Sequence, residues 1–202
     1  MGNVRVERVV TSGVFSLDGQ DFDVDNNVWL IGNDDEVIVI DAAHDAQPIL
    51  TAIGDRQVRA IVCTHAHNDH INAAPALVAR TQAPVLLHPD DLELWQMTNG
   101  SAEFRTLQDG QPITVARASL TALHTPGHSP GGVCLHLPEL ETVFTGDTLF
   151  NGGPGATGRS FSDKPTLLRS IQSTLFTLPP GTTVRTGHGD DTTIGAEKNR
   201  LA

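Results

Sequence analysis

Apolar residues recur along this chain with two different periods, and the switch between them marks out the elements. The first third alternates short β-rich runs with turn signals: Val4 to Val10, Val28 to Ile31 and Val37 to Ile40, the last two separated by Gly32-Asn33-Asp34-Asp35. This predicts an antiparallel meander ending at Asp41. Pro48 to Ile53 then reads as a short helix, Val58 to Cys63 as a strand, Ala73 to Ala79 as a helix and Val85 to His88 as a strand. Such alternation gives this half α/β character.

After a helix near Asp91 to Met97 and a polar stretch around Gly100 to Gln111, strands are predicted over Ile113 to Val115, Ser119 to Leu123, Gly132 to Leu137 and Thr142 to Phe144. The second half therefore repeats the first half's order of elements. Leu167, Leu168, Ile171 and Leu175 follow a helical spacing, with Ser162 or Asp163 as N-cap, Pro165 in the first turn and Pro179-Pro180 as the stop. Val184 to Thr186 is a final short strand.

A chain of 202 residues with 39% hydrophobic residues can bury one sizeable core or a pair of packed sheets, and a single domain over 1–202 is the economical expectation. The net charge of −11, with only 13 Lys and Arg, argues against nucleic acid as a partner, because neutralising phosphates requires basic side chains. Charges at Arg5, Glu7 and Arg8 interrupt what a signal peptide would need, and no run of 18 apolar residues occurs. The expectation is a cytoplasmic protein that does not enter membranes. Cys63 and Cys134 lie in strand-like apolar runs without metal or redox spacing, so both are expected to be buried, reduced thiols.

Chemistry concentrates in Thr64-His65-Ala66-His67-Asn68-Asp69-His70, directly after the apolar run Ala60 to Cys63. Side chains two apart in an extended or tightly turning segment point the same way, so His65 and His67 can reach one ion. Asp69 and His70, one turn further on, face an adjacent position. Further candidate ligands stand where the chain changes element: His128 in Gly127-His128-Ser129, Asp147 in Gly146-Asp147-Thr148 and His188 in Gly187-His188-Gly189. Together these residues supply enough ligands for two metal ions. Imidazole and carboxylate suit Zn²⁺ but also Fe or Mn, so the donors alone do not name the metal. The flanking glycines Gly127, Gly146, Gly187 and Gly189 let the backbone turn sharply and approach the site. His44, His88, His124 and His136 lack ligand spacing and are expected to be structural, with His44, after Asp41-Ala42-Ala43, the one placed to face the site.

These motifs resemble those of the metallo-β-lactamase-fold hydrolases, and within them the glyoxalase II group. The resemblance spans nearly the whole chain, from the strand ending at Asp41 to Thr192-Thr193-Ile194-Gly195. It implies an α/β fold of four layers, an αββα sandwich with a dinuclear site at one edge. By that pattern His65, His67 and His128 hold the first metal, Asp69, His70 and His188 the second, and Asp147 bridges them, while Asp41 supports the ligand loop. Two ions about 3.5 to 4 Å apart share a water, lower its pKa toward about 7 and polarise the carbonyl that the resulting bridging hydroxide attacks. Asp69 is the expected catalytic residue, orienting that hydroxide by a hydrogen bond.

The pattern also departs from glyoxalase II. The thiol-binding Lys, Arg and Tyr of that group's C-terminal extension have no counterpart, and the chain contains no Tyr. The group's Cys-Gly-Arg segment is replaced by Gly152-Gly153-Pro154-Gly155-Ala156-Thr157-Gly158-Arg159, expected to be a mobile loop beside the site, with only Gly158 and Arg159 matching. Arg159 is open to two readings, a partner for a substrate carboxylate or a surface residue. The substrate expected is a thioester of a small thiol. A persulfide dioxygenase holding one Fe(II) through His65, His128 and Asp147 is the alternative, and a lactonase or another metallo-hydrolase the second. β-Lactamases with Cys in place of Asp147 fit less well.

Overall fold

The computed structural model describes residues 3–201. The chain opens with two 13-residue strands, β1 (Arg5–Leu17) and β2 (Gln20–Gly32), and continues through β3 (Glu36–Ile40), α1 (Ala46–Ile53), β4 (Gln57–Val62), α2 (Asn68–Ile71), α3 (Ala74–Thr81), β5 (Val85–Leu87), α4 (Leu92–Asn99) and β6 (Arg105–Thr106). These strands form one sheet in sequence order, antiparallel from β1 to β3 and parallel from β3 to β6. The second half gives β7 (Pro112–Val115), β8 (Ala118–His124), β9 (Val133–Leu137), β10 (Thr142–Gly146), the small ribbon β11 (Leu149–Phe150) and β12 (Gly153–Pro154), then α5 (Lys164–Ser173), β13 (Thr183–Thr186), β14 (Thr192–Thr193) and α6 (Ile194–Arg200). Its sheet runs β14-β13-β10-β9-β8-β7. As predicted, the second half repeats the first: an antiparallel meander, then a parallel addition through a helix.

Strand alternation builds the layers. In β2 and β3, Trp29, Ile31, Ile38 and Ile40 face the other sheet, where they meet Leu120, Leu135 and Phe144. Their neighbours Val28, Leu30, Val37 and Val39 face outward onto Ile49, Leu77 and Trp95 of the helices. Successive side chains on a strand point to opposite faces, so a strand apolar on both must be covered on both. The second sheet behaves alike: Cys134, Val143 and Val184 turn away from the sheet interface onto Leu167, Ile171 and Ile194. The result is the αββα order. Cys63 and Cys134 are buried and free, as expected. Burial raises both thiols, Cys134 to about 11. Asp163 is the N-cap of α5, its Oδ2 accepting from Thr166 N at 3.2 Å.

One expectation needs correction. The strands predicted as Val4 to Val10 and Val28 to Ile31 are parts of a far longer hairpin, paired from Arg5↔Gly32 to Leu17↔Gln20. Its two-residue turn is Asp18-Gly19, both with positive φ (54° and 71°), the geometry that matches strand twist. The outer half of the hairpin is mostly polar and exposed, so it carries no apolar run to betray it. Among the described residues no helix is long and apolar enough to cross a membrane.

Candidate metal centre

Strand direction gathers the chemistry at one edge. Strands β3 and β4 run parallel. Strands β8, β10 and β13 also share a direction, β8 and β10 each being antiparallel to β9. Asp41 follows β3, the 64–70 loop follows β4, and the segments bearing His128, Asp147 and His188 follow β8, β10 and β13. The two sheets are stitched together here: Val133 N donates to Thr64 O at 2.7 Å, Asn27 N to Gly187 O at 2.7 Å, and Trp29 Nε1 to Thr186 O at 3.0 Å.

All seven residues singled out by the sequence come together, six of them in two trios with Asp147 between. His65 Nε2 and His128 Nε2 lie 3.1 and 3.0 Å from His67 Nδ1. Three tetrahedral ligands at about 2.0–2.1 Å from one ion stand roughly 3.3 Å apart, close to this arrangement. In the second trio His70 Nε2 is 3.2 Å from His188 Nε2 and 3.4 Å from Asp69 Oδ2, and His188 Nε2 is 3.3 Å from that same oxygen. Asp147 faces both: its Oδ2 is 3.6 Å from His128 Nε2 and 3.4 Å from His188 Nε2, and its Oδ1 is 3.3 Å from His70 Nε2. Facing imidazole lone pairs repel, and Asp69 Oδ1 and Asp147 Oδ1 are buried with no hydrogen-bond partner among the described residues. A divalent cation at each trio would answer both features, so the donor set fits two ions.

At His70, His128 and His188 the ring nitrogen that points away from the trios is fixed by another partner. Asp41 Oδ2 sits 3.0 Å from His70 Nδ1 and also accepts from Thr64 Oγ1, while its Oδ1 takes Thr64 N. His128 Nδ1 reaches Ala156 O at 2.8 Å, and His188 Nδ1 reaches Asp25 O at 2.7 Å. Each such bond sets the tautomer and leaves Nε2 free to bind a cation. Glycine is required at two points. Gly146 has φ 48°, and a Cβ there would strike Thr64, while one at Gly187 would run into the Asp147 carboxylate.

Electrostatics separate the trios. Burial pushes His65 well down, reinforced by His70 and His67, and burial with His128 pushes His67 to about 3. At the second trio burial is outweighed. Asp147 and Asp69 hold His188 up to about 10 and His70 well above its ordinary value. In return, against burial, His70 and the hydrogen bond from His188 hold Asp69 at about 2, and His70 with His188 keeps Asp147 well below the carboxylate range.

Three supporting residues escaped sequence reading. Asn26 Nδ2 donates to Asp69 Oδ2 at 3.0 Å, and its Oδ1 lies 2.8 Å from His44 Nε2, so His44 does face the site, through Asn26. Asn72 Oδ1 fixes His44 N at 2.6 Å. Asp91, wholly buried, accepts from Ala66 N, Ser129 Oγ and Gly131 N at 2.9, 2.8 and 2.6 Å, tying the 64–70 loop to the His128 loop. His88 and His124 lie with Asp90 in a further donor cluster. Their rings stack 4.0 Å apart at 9°, and in-plane lone pairs on parallel rings do not converge on one ion. The glycine-rich stretch expected to be mobile lies beside the site and is held by His128 at Ala156 O and by the hairpin tip, where Asp18 Oδ2 accepts from Ser160 N at 2.9 Å.

The family described as the metallo-beta-lactamase superfamily matches residues 22–188. The probable metallo-hydrolase YqgX of Bacillus subtilis is 32% identical over 191 residues, covering 86% of this chain and 90% of that protein. A hydroxyacylglutathione hydrolase of an Enterobacter species is 30% identical over 166 residues, 81% of this chain but 62% of its own length. Among solved structures, TTHA1623 in a di-iron-bound form is 33% identical with a TM-score of 0.80, over 87% of this chain and 93% of that one. BLEG-1, described as a B3 metallo-beta-lactamase, is 29% identical with a TM-score of 0.77, over 94% and 97%.

Proposed function

The chain belongs to the metallo-β-lactamase superfamily, and on that premise we propose that it is a dinuclear metal-dependent hydrolase acting on a thioester of a small thiol. The observation that carries the dinuclear reading is the convergence of His65, His67 and His128 on one point and of Asp69, His70 and His188 on the next, with Asp147 shared. Two divalent ions held there would supply a water of lowered pKa and polarise a carbonyl. Zn²⁺ suits this mixed nitrogen and oxygen set, while the di-iron state of TTHA1623 supports iron as an occupant.

The chain's own residues do the rest. Asp69 lines the cavity beside the trios, and its free Oδ1 accepts a hydrogen bond from the attacking water and so orients it. Phe15, Phe22 and Phe150 wall the same cavity and displace solvent from the acyl group. The C–S bond breaks as a C–O bond forms from water, giving a carboxylic acid and a thiol. Thiolate leaves readily, so no strong general acid is needed, which agrees with the absence of a Lys or Tyr lining the cavity among the described residues.

The hydroxyacylglutathione hydrolase relative supports the thioester, but the chain spans only 62% of its length, so we do not extend its glutathione preference to this chain. The test is a panel of S-lactoyl, S-formyl and S-acetyl thioesters with an acyl-homoserine lactone and nitrocefin, run with metal analysis. The likeness to BLEG-1 makes nitrocefin a necessary arm. Thioester turnover with about two metals per chain is the expected result. Turnover confined to the lactone or nitrocefin refutes the substrate. A single Fe per chain with oxygen consumption on a persulfide replaces the hydrolase with a dioxygenase.

A further inference from the structure

The cavity that opens onto both trios measures about 520 Å³, and the one Lys or Arg among its lining residues is Arg159. Its guanidinium lies on an aromatic platform at the hairpin tip, with Cζ 4.5 Å from the centre of the Phe22 ring and 5.7 Å from that of Phe15. Phe15 and Phe22 are cross-strand partners, and the Phe15 ring lies 5.2 Å from that of His67. Arg159 is thus linked to the first trio through a single intervening ring.

The group is held, yet its charge is unanswered. Nη1 donates to the neutral Gln20 Oε1 at 2.9 Å, and Ser162 Oγ accepts from the backbone N–H at 3.2 Å. Among the described residues the guanidinium makes no ion pair, in a chain carrying 24 acidic groups against 13 basic ones. Asp18 is hydrogen-bonded to Ser160, which holds its carboxyl below the ordinary value, with the charge of Arg159 a smaller contribution. Asp23 and Asp25 line the cavity as well, and Asp25 Oδ1 accepts from Ser12 Oγ at 2.6 Å. Outside the two trios, the one cationic side chain lining the cavity among the described residues is therefore Arg159, at the glycine-rich loop, and anionic groups stand along β2.

A planar guanidinium pinned at one nitrogen keeps a fork of donors suited to a carboxylate, and a ring beneath it limits its hydration. We propose that Arg159 is the specificity residue of this site, receiving a carboxylate that the thioester carries several bonds from its scissile carbonyl. The assignment rests on the hydrolase reading above and narrows the substrate class to anionic thioesters, with the apolar part of the substrate lying along Phe15 and Phe22. The carboxylate sits on either the acyl or the thiol half, and the two sources are separable.

The metal-loaded protein is assayed with two matched pairs: succinyl- against butyryl-N-acetylcysteamine, and the acetyl thioester of 3-mercaptopropionate against that of N-acetylcysteamine. The wild type is expected to prefer the charged member of one pair by at least about tenfold in kcat/KM, mostly through KM, as a charge-assisted bidentate contact implies. The pair that shows the preference identifies the half bearing the carboxylate. Arg159→Gln should erase the preference and Arg159→Lys restore part of it. Arg169→Gln, on the outer surface of α5, should keep it. Equal kcat/KM within both pairs for the wild type, or a preference that survives Arg159→Gln, overturns the assignment. Turnover of none of the four overturns the thioesterase reading itself, and this assignment with it.

Discussion

The two trios solve the problem of burial in opposite ways. His65, His67 and His128 bring three imidazoles together with no carboxylate of their own, and burial keeps His65 and His67 neutral. Asp69, His70 and His188 include a buried anion beside the shared Asp147, and there the imidazoles are driven to hold protons. A neutral donor loses little on leaving water, whereas a carboxylate in a poorly polarisable interior must be matched by positive charge. At the second trio that match falls to His70 and His188, which the two carboxylates hold above their ordinary values. The first trio thus presents neutral donors, and at the second a proton and a cation compete for the same nitrogens.

The largest expected effect comes from the residue the trios share. Asp147→Ala should lower kcat/KM by on the order of 10³-fold or more and remove at least one ion, read by elemental analysis and thioester turnover. Full metal content with near-normal activity would end the idea of a shared ligand. A sharper cut pairs Asp69→Ala with His67→Ala. The first should lose chiefly the ion of the second trio, with activity down on the order of 10²-fold, and the second chiefly the ion of the first trio. Loss of the same ion from both, seen by spectroscopy of a cobalt-substituted protein, would merge the trios into one site.

Smaller effects probe the supports. Asp41→Asn keeps the shape but weakens the hold on His70 Nδ1. It should reduce affinity at the second trio by roughly 10- to 100-fold in a chelator competition while sparing the first. An equal loss at both would mean that Asp41 acts by holding the 64–70 loop, through Thr64, rather than by orienting His70. The smallest change is expected from His136→Ala, on β9 opposite Thr121 and Val143. Metal content and kcat/KM should stay within about twofold, since a half-buried strand residue away from the site alters stability only modestly. A loss comparable to that of His67→Ala with the fold intact would erase the distinction between ligand and structural histidines.

Legibility differed between ligands and supports for a physical reason. His65, His67, Asp69 and His70 sit within six residues, so their chemistry shows as a local motif, and His128, Asp147 and His188 each stand beside glycine at a strand end. Asn26 reaches Asp69 across 43 positions of sequence, and Asp91 reaches Gly131 across 40. Neither carries a local signature, because an Asn within a strand and an Asp before a helix are ordinary residues in ordinary places. The outer hairpin was hidden for a related reason. Its strands are held by their partners rather than by an apolar stripe, and the Asp18-Gly19 turn was its one sequence signal.

What the sequence determined by itself was the donor set and most of the strands. Apolar runs bounded by turns specify strands that need cover on two faces, and ligand chemistry is a property of residue type and short spacing. The division of the donors into trios, which the sequence carried only through resemblance, has its physical basis in the tertiary structure, because it depends on which strand ends meet at the seam between the sheets. The tertiary structure alone decided that the hairpin tip sets two phenylalanines under Arg159. Whether an arginine is a surface charge or lines a cavity depends on neighbours well over a hundred residues away, and sequence spacing carries no record of them.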